Sequence, residues 1–458
     1  MELQTRLEQL IAEHNVPGAQ LALLDGDEIV EVVAGVLSVR TRCPVTPDAL
    51  FLPGSIGKLY TATLVLMLVD DGKLDLDTPI RAYLPGFRVK DERAAEIVTP
   101  RNLLSHTSGF DGDHFTDMGR GDDALERYVE GCADLPQIAD PGNIWSYSNS
   151  SYSILGRIVE VLNGKTFEEV LRARLFAPLG LEHSVSFAEE ALVHPTAVGH
   201  ESDPQDPSRR VIAEPWGLGR AFGPMGSALV ASAGDVLRFV QLHLNGGVAP
   251  SGVRLLSEAS VAAMQDEQVR LVDDTLGASW GLGWILDRFG RAEVIGHDGN
   301  SIGQNAFMRV APKERFGFCL QTNVGSALLM YRELANELFG ARFGGGPKPD
   351  PQERAEAAVA DPSRYTGVYE REGLRLEVTA DDAGRLLATV NPTHAVARSQ
   401  NWPPMVDLPL RPVDAPDTFL LRVPIADADL PAVFFAPDDP GGRPTYVHYG
   451  GRAKRRLT

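Results

Sequence analysis

The chain runs to 458 residues with a net charge of −19, and 43% of it is apolar. That length admits two or three domains with a large core that needs no staples, and the acidity argues against nucleic acid or an anionic membrane as partner. Its three cysteines, Cys43, Cys132 and Cys319, are too few and too far apart for a disulfide framework or a metal site.

Residues 2–14 read as an amphipathic helix with acidic residues, lacking the basic and apolar regions of a signal peptide. No run of about 18 apolar residues appears, so no membrane span is expected and the cytoplasm is the expected location. Pro17-Gly18 then turns the chain into a strand from Ala19 to Leu24, with Asp25-Gly26-Asp27 as a hairpin turn and a return strand from Glu28 to Ala34.

The segment from Phe51 to Lys58 leads into Leu59–Val69, apolar nearly all round, which predicts a buried helix. Pro53 and Gly54 punctuate its start and Gly72 its end. Ser55 and Lys58 are three apart, so their side chains share one helical face. A serine hydroxyl needs a base to become a nucleophile, and burial turns a lysine into one by disfavouring its charged form. Such a pair alone also suits a helix start with a snorkelling lysine, and S-x-x-K arises by chance about once in a chain of this size.

Pro100–Gly109 reads as a short helix ending at Gly109. The acidic, glycine-rich stretch Asp111–Asp123 lacks the ligand spacing of a calcium loop and reads as a loop at the mouth of a site or on the surface. Tyr147 and Asn149 alternate in an extended or turn segment before a helix from Tyr152 to Leu162, so both can face one way. A tyrosine relays protons and an asparagine amide orients its neighbours; a core tyrosine and a helix cap are the alternative roles. Glu214–Gly226 is a glycine-rich loop without a phosphate-binding fingerprint, and a helix follows from Ser232 to Leu244.

Trp280–Leu286 and Arg291–His297 read as paired strands, Asp298–Asn305 as a turn, and Ala306–Val310 and Phe316–Asn323 as further strands of an antiparallel sheet. His297 ends its strand two residues before Gly299, where a ligand can approach the backbone. After a helix from Leu328 to Phe339, Gly344–Pro351 has linker composition and a short Glu/Ala-rich piece follows. Short strands at even spacing then begin (Gly367–Tyr369, Leu374–Val378, Arg385–Val390, Phe419–Val423, Ala432–Phe435, Tyr446–Tyr449) and predict a small barrel or sandwich. The basic tail Gly450–Arg456 is either a solvated end or an arm that recognises a carboxylate.

Ser55-x-x-Lys58, Tyr147-x-Asn149 and His297-x-Gly299 stand in one order, separated by roughly 90 and 150 residues. Together with Gly72–Asp77, Leu103–Gly109 and Gly296–Gly299, they resemble the serine β-lactamase and DD-peptidase superfamily, in its class C and penicillin-binding-protein-like branch, over about residues 5–340. The resemblance implies an α+β fold, a β-lactamase/transpeptidase-like antiparallel sheet flanked by helices, with a lipocalin-like barrel appended. It divides the chain into a catalytic domain at 1–345, a linker at 346–362 and the barrel at 363–458. The glutamate that deacylates class A enzymes is absent, so efficient β-lactam hydrolysis is not implied.

The roles implied are Ser55 as nucleophile, Lys58 and Tyr147 as its proton partners, Asn149 as their orienting amide and His297 as support on the sheet side. The oxyanion hole is expected from the backbone N–H groups of Ser55 and Asn300. Trp145, Phe222, Gly299 and Arg452 are the expected substrate contacts; no metal or cofactor is expected. The Ser55 region, the Asp111 loop and the single barrel are similar to the stand-alone penicillin-binding-protein-type thioesterases, which cyclise a nonribosomal peptidyl thioester head to tail and favour a D-residue at the acyl end. The implied partner is a peptidyl thioester on a carrier protein, or a small peptide or ester. A D-specific peptidase, a carboxylesterase and a catalytically dead binding protein are the alternatives.

Overall fold

The Asp25-Gly26-Asp27 turn does form a hairpin, between strands Gly18–Asp25 and Glu28–Gly35. In the computed structural model, which describes residues 2–227, 229–349, 351–354, 359–393, 403–423, 429–437 and 442–458, this hairpin edges an eight-stranded sheet. From that edge the order is Glu28–Gly35, Gly18–Asp25, Phe316–Thr322, Gln304–Ala311, Ala292–Ser301, Ile285–Phe289, Ser279–Trp280 and Val269–Arg270, antiparallel throughout. Alternation along the strands splits their apolar residues between two cores. Ala22, Leu24, Met308, Val310 and Cys319 face one, with helices Gly57–Asp70, Asn149–Asn163 and Ala233–Leu244. Leu21, Phe307, Phe318 and Leu320 face the other, with helices Leu3–Glu13 and Leu328–Phe343.

Every residue of the central helix from Gly57 to Leu68 is buried, as its all-round apolar sequence demands. The helix predicted from Tyr152 starts three residues earlier, at Asn149, because the Ser148 hydroxyl accepts the Ser151 N–H at 3.1 Å and caps it. Thr99 caps Pro100–Leu104 in the same way, and that helix stops at Leu104 rather than Gly109. The predicted strand Trp280–Leu286 is broken: Ser279–Trp280 and Ile285–Phe289 pair with each other across a turn. Most of the predicted turn Asp298–Asn305 is strand. The Ala292 strand runs on to Ser301, and only Ile302 and Gly303, both at positive φ, make the two-residue turn before Gln304.

The C-terminal strands close into a barrel: Gly367–Arg371, Leu374–Ala380, Leu386–Pro392, Met405–Pro412, Thr418–Leu421, Leu430–Pro437, Pro444–Tyr449 and Arg452–Arg456. Its interior is apolar, with Tyr369, Leu376, Val390, Leu421, Phe434 and Val447 among its buried residues. The basic tail is no solvated end. Arg452–Arg456 pairs with Pro444–Tyr449 on one side and Gly367–Arg371 on the other, which closes the cylinder. We propose 346–362 as the boundary between the two parts; residues 350 and 355–358 of it, including the centre of the Glu/Ala-rich piece, lie outside the described residues. Among the described residues no helix is long and apolar enough to cross a membrane.

Candidate active site

Ser55 sits in a tight 3-10 turn, Gly54–Ile56, that runs directly into the central helix. Lys58, one turn on, is fully buried and its Nζ lies 3.0 Å from Ser55 Oγ. The same nitrogen donates to Asn149 Oδ1 at 2.7 Å and to the Met225 carbonyl at 2.6 Å. Burial pushes the Lys58 pKa well below the usual amine range, Arg452 adds to the effect and Asp113 opposes it. An uncharged amine has two hydrogens and one lone pair. With the hydrogens on Asn149 and Met225, the lone pair is left for the Ser55 hydroxyl, which is the geometry of a general base.

Tyr147 lines the same cleft as Ser55, near enough for the serine to favour its ionised form slightly. Burial, the largest influence, holds its pKa well above the usual phenol value, so it is a neutral donor. Its ring is close to both Lys58 and Arg452, with Lys58 Nζ 5.0 Å and the Arg452 guanidinium 4.8 Å from its centre. Behind it, His106 accepts the Ser148 N–H at Nδ1 (3.0 Å) and packs on the Tyr147 ring at 4.3 Å. Asn149 begins its helix at this point. Its Oδ1 faces Lys58 and its Nδ2 donates to Asp113 Oδ1 at 2.8 Å.

His297 approaches from the sheet. Its Nδ1 lies 2.6 Å from the Asp298 carbonyl, which places the ring proton there, and its buried Nε2 has no hydrogen-bond partner among the described residues. Burial, helped by Lys58, lowers its pKa to about 3, so the ring is neutral. It is 6.4 Å from the Tyr147 ring and adds an acceptor, not a charge. Gly299 and Gly54 bring two backbones together: a Cβ on Gly299 would lie 1.8 Å from the Pro53 oxygen, and one on Gly54 would lie 2.8 Å from Asn300 N. The close approach expected at Gly299 is thus made by the protein's own nucleophile turn. Ser301 and Gln304 close the hairpin as a hydrogen-bonded pair, so Asn300 opposite Asn305 is a non-bonded pair whose N–H points away from that neighbour. The Ile285 strand ends opposite Gly296, so this edge is open. The Asn300 amide therefore points to that edge, close to the turn that carries Ser55.

Ser55, Tyr147, Asn149, His297, Gly299 and Asn300 all line one cleft of about 690 Å3, with Phe222 and Arg452 also at its walls. Trp145 is placed differently. It is buried behind Tyr147, 5.5 Å from Trp280 and 5.3 Å from His448, so it supports the wall and does not form it. Arg452 does meet a carboxylate, but an internal one: Nε and Nη2 donate to Asp113 at 2.9 and 3.2 Å, and Nη1 to the Gly450 carbonyl at 3.1 Å. The Asp111 loop is at the mouth of the site, where Phe115 lines the cleft. Asp113, His106, Trp280 and the Met225 carbonyl belong to the site without having been picked out from sequence. Each lies in a segment read for another reason: Asp113 in the acidic loop, His106 in Leu103–Gly109, Met225 in the glycine-rich loop and Trp280 at the start of a strand.

A serine within reach of a buried amine driven toward its uncharged form, with a phenol in the same cleft, is equipped for acyl transfer. The chain belongs to the Beta-lactamase family, whose model matches residues 3–337, and it is an enzyme of the serine type. It is 43% identical over 374 residues to penicillin-binding protein 4 of Amycolatopsis lactamdurans, a match spanning 81% of this chain and 97% of that one. The barrel lies beyond the family match, but the crystal structure of SurE matches across it. That likeness has a TM-score of 0.80 at 29% identity over 99% of this chain and 98% of SurE, and the structure of SurE with D-Leu gives 0.76 over the same shares. The D-amino acid amidase of Ochrobactrum anthropi SV3, in complex with L-phenylalanine, matches 70% of this chain and 92% of its own at 25% identity and a TM-score of 0.58.

Proposed function

We propose that this enzyme takes a peptidyl thioester with a D-residue at the acyl end onto Ser55 and releases it head to tail as a macrocycle. Lys58 Nζ takes the Ser55 proton as Oγ attacks the thioester carbonyl. The tetrahedral oxyanion is held by the Ser55 and Asn300 amides. On collapse the C–S bond breaks, and the leaving thiolate takes the proton that Lys58 accepted from Ser55, which returns the amine to its uncharged form. The substrate's own amine then attacks the ester, loses its proton to Lys58, and Ser55 Oγ leaves with a proton. The observation that carries this reading is the likeness to SurE over the whole chain, barrel included, with one of those structures holding D-Leu. The cleft, of about 690 Å3 with Phe115, Leu218, Phe222 and Trp280 in its walls, supports it by offering room and apolar surface for a folded peptide.

Hydrolysis of a D-residue amide or ester is the second reading, favoured by the likeness to D-amino acid amidase. The two readings share the acyl-enzyme and part at its release. The test is a peptidyl N-acetylcysteamine thioester with a D-residue C-terminus, with products weighed by mass spectrometry and Ser55→Ala as control. Cyclic product is expected. Linear acid alone from an active protein overturns cyclisation in favour of hydrolysis.

A further inference from the structure

The barrel reaches the nucleophile through one carboxylate. Asp113 accepts from Asn149 Nδ2 and from Arg452 twice, and is ion-paired with Arg371 Nη2 at 2.9 Å. Arg371, in the hairpin between the first two barrel strands, also reaches Asp111 Oδ1 at 3.3 Å, and the other Asp111 oxygen accepts the Glu372 N–H at 2.6 Å. Asp111 and Asp113 are 1% and 10% exposed, so this is an interior network and not a surface contact. We propose that Asp113 is a positioning residue for acylation: its carboxylate fixes Asn149 with the amide oxygen toward Lys58, and Arg371 and Arg452 of the barrel hold that carboxylate in place and ionised.

The two ends of an asparagine amide have nearly one shape and opposite chemistry. An ionised carboxylate only accepts, so only Nδ2 can face Asp113, and Oδ1 must then face Lys58. A flipped Asn149 would turn an N–H2 toward the amine and draw its lone pair away from Ser55. Asp113 therefore decides where the base points without touching substrate. Burial alone would raise the Asp113 pKa, and a protonated acid could donate and leave the amide undefined; Arg452 and Arg371 outweigh burial and hold the group below the usual carboxylate range. The barrel thus completes the active site electrostatically.

A role confined to joining the two parts would leave the protonation of Lys58 alone. The groups facing Lys58 and Asp113 are Arg452 and Lys454 from the last strand, Arg371 from the hairpin, Asp111 from the loop, and His106, Tyr147 and His297 around the serine. Of these, Arg452 lowers the Lys58 pKa and Asp113 raises it. Lys58 must be uncharged to act, so the rate climbs with pH as it loses its proton. Removing the Arg452 charge moves that climb to higher pH; removing the Asp113 charge moves it to lower pH.

This inference rests on Ser55 being the acylated residue and not on how the acyl group leaves. The test is the rate of fluorophosphonate labelling of the full chain against pH. Asp113→Asn is expected to slow labelling about 10-fold to 100-fold, as misplaced reacting groups do, and to move the climb to lower pH, while Arg452→Gln moves it to higher pH. The double variant Asp113→Asn with Arg452→Gln removes both buried charges and leaves neither unpaired. It is expected to melt like wild type and still label slowly. Wild-type rates in the double variant, or single variants whose climb does not move, overturn the proposal. A wild-type protein that takes no label at Ser55 overturns the serine reading itself, and this inference with it.

Discussion

Two sets of buried side chains meet at Ser55, and they settle their charge in opposite ways. On the helix-and-sheet side, Lys58 and His297 are buried without a salt bridge among the described residues and are driven toward their neutral forms. On the barrel side, Asp113, Arg371 and Arg452 are also enclosed, yet each has an opposite charge in contact, and Asp113 is held below the usual carboxylate range and Arg452 above its own. Burial alone therefore does not decide whether a group is charged; the partner does. The reacting groups need lone pairs and are left unpaired. The groups that hold them need fixed direction and are paired.

The largest break comes at the neutral amine. Lys58→Met removes the base while keeping bulk in the helix. Acylation by a thioester substrate is expected to fall about 10³-fold, the scale of a lost general base, with a thermal melt showing the chain still folded. Next is the charged side. Arg371→Met leaves Asp111 buried without its arginine and is expected to cost about 3 kcal/mol, read as a lower denaturant midpoint with unchanged slope. A third experiment uses pH. His297 has a folded pKa of about 3 against 6.5 for the free side chain. Between those values the unfolded chain binds a proton that the folded chain does not, so stability falls as pH drops from about 6.5 toward 3. His297→Gln is expected to make the fall in melting temperature between pH 7 and pH 4 shallower. It should not abolish the fall, because buried His243, also near 3, remains. The smallest effect belongs to the exposed pair Arg120–Glu189, 2.8 Å apart but 80% and 56% exposed. Arg120→Ala is expected to change unfolding free energy by less than about 0.5 kcal/mol, measured by the same denaturant titration.

Much of the sheet side was legible in the sequence because its logic is local. A serine three residues before a lysine, ahead of a continuous apolar run, needs only helical spacing to bring the two together, and Tyr147 and Asn149 need only alternation. On the barrel side the short strands and Arg452 could be picked out, but not the contacts they make with the Asp111 loop. Arg371 meets Asp111 across 260 residues of chain, and no spacing rule relates a hairpin arginine to a distant loop. The strand Met405–Pro412 escaped because Pro409 and Pro412 read against a strand. The last strand escaped because Arg452, Lys454, Arg455 and Arg456 look like a solvated tail. In the fold Lys454 is buried, donating to the Tyr449 and Arg452 carbonyls, and Arg452 stacks on Tyr147.

The crossing of Gly54 and Gly299 sets a limit on how this cleft can be re-engineered. Even one methyl group at position 299 would collide with the Pro53 carbonyl, and the turn that would have to yield is the one that carries Ser55. Libraries aimed at new acyl groups do better to vary the distant rim, at Phe115, Leu218 and Leu276, where side chains border the same cleft. At the crossing itself, a gain in fit would come with a displaced nucleophile.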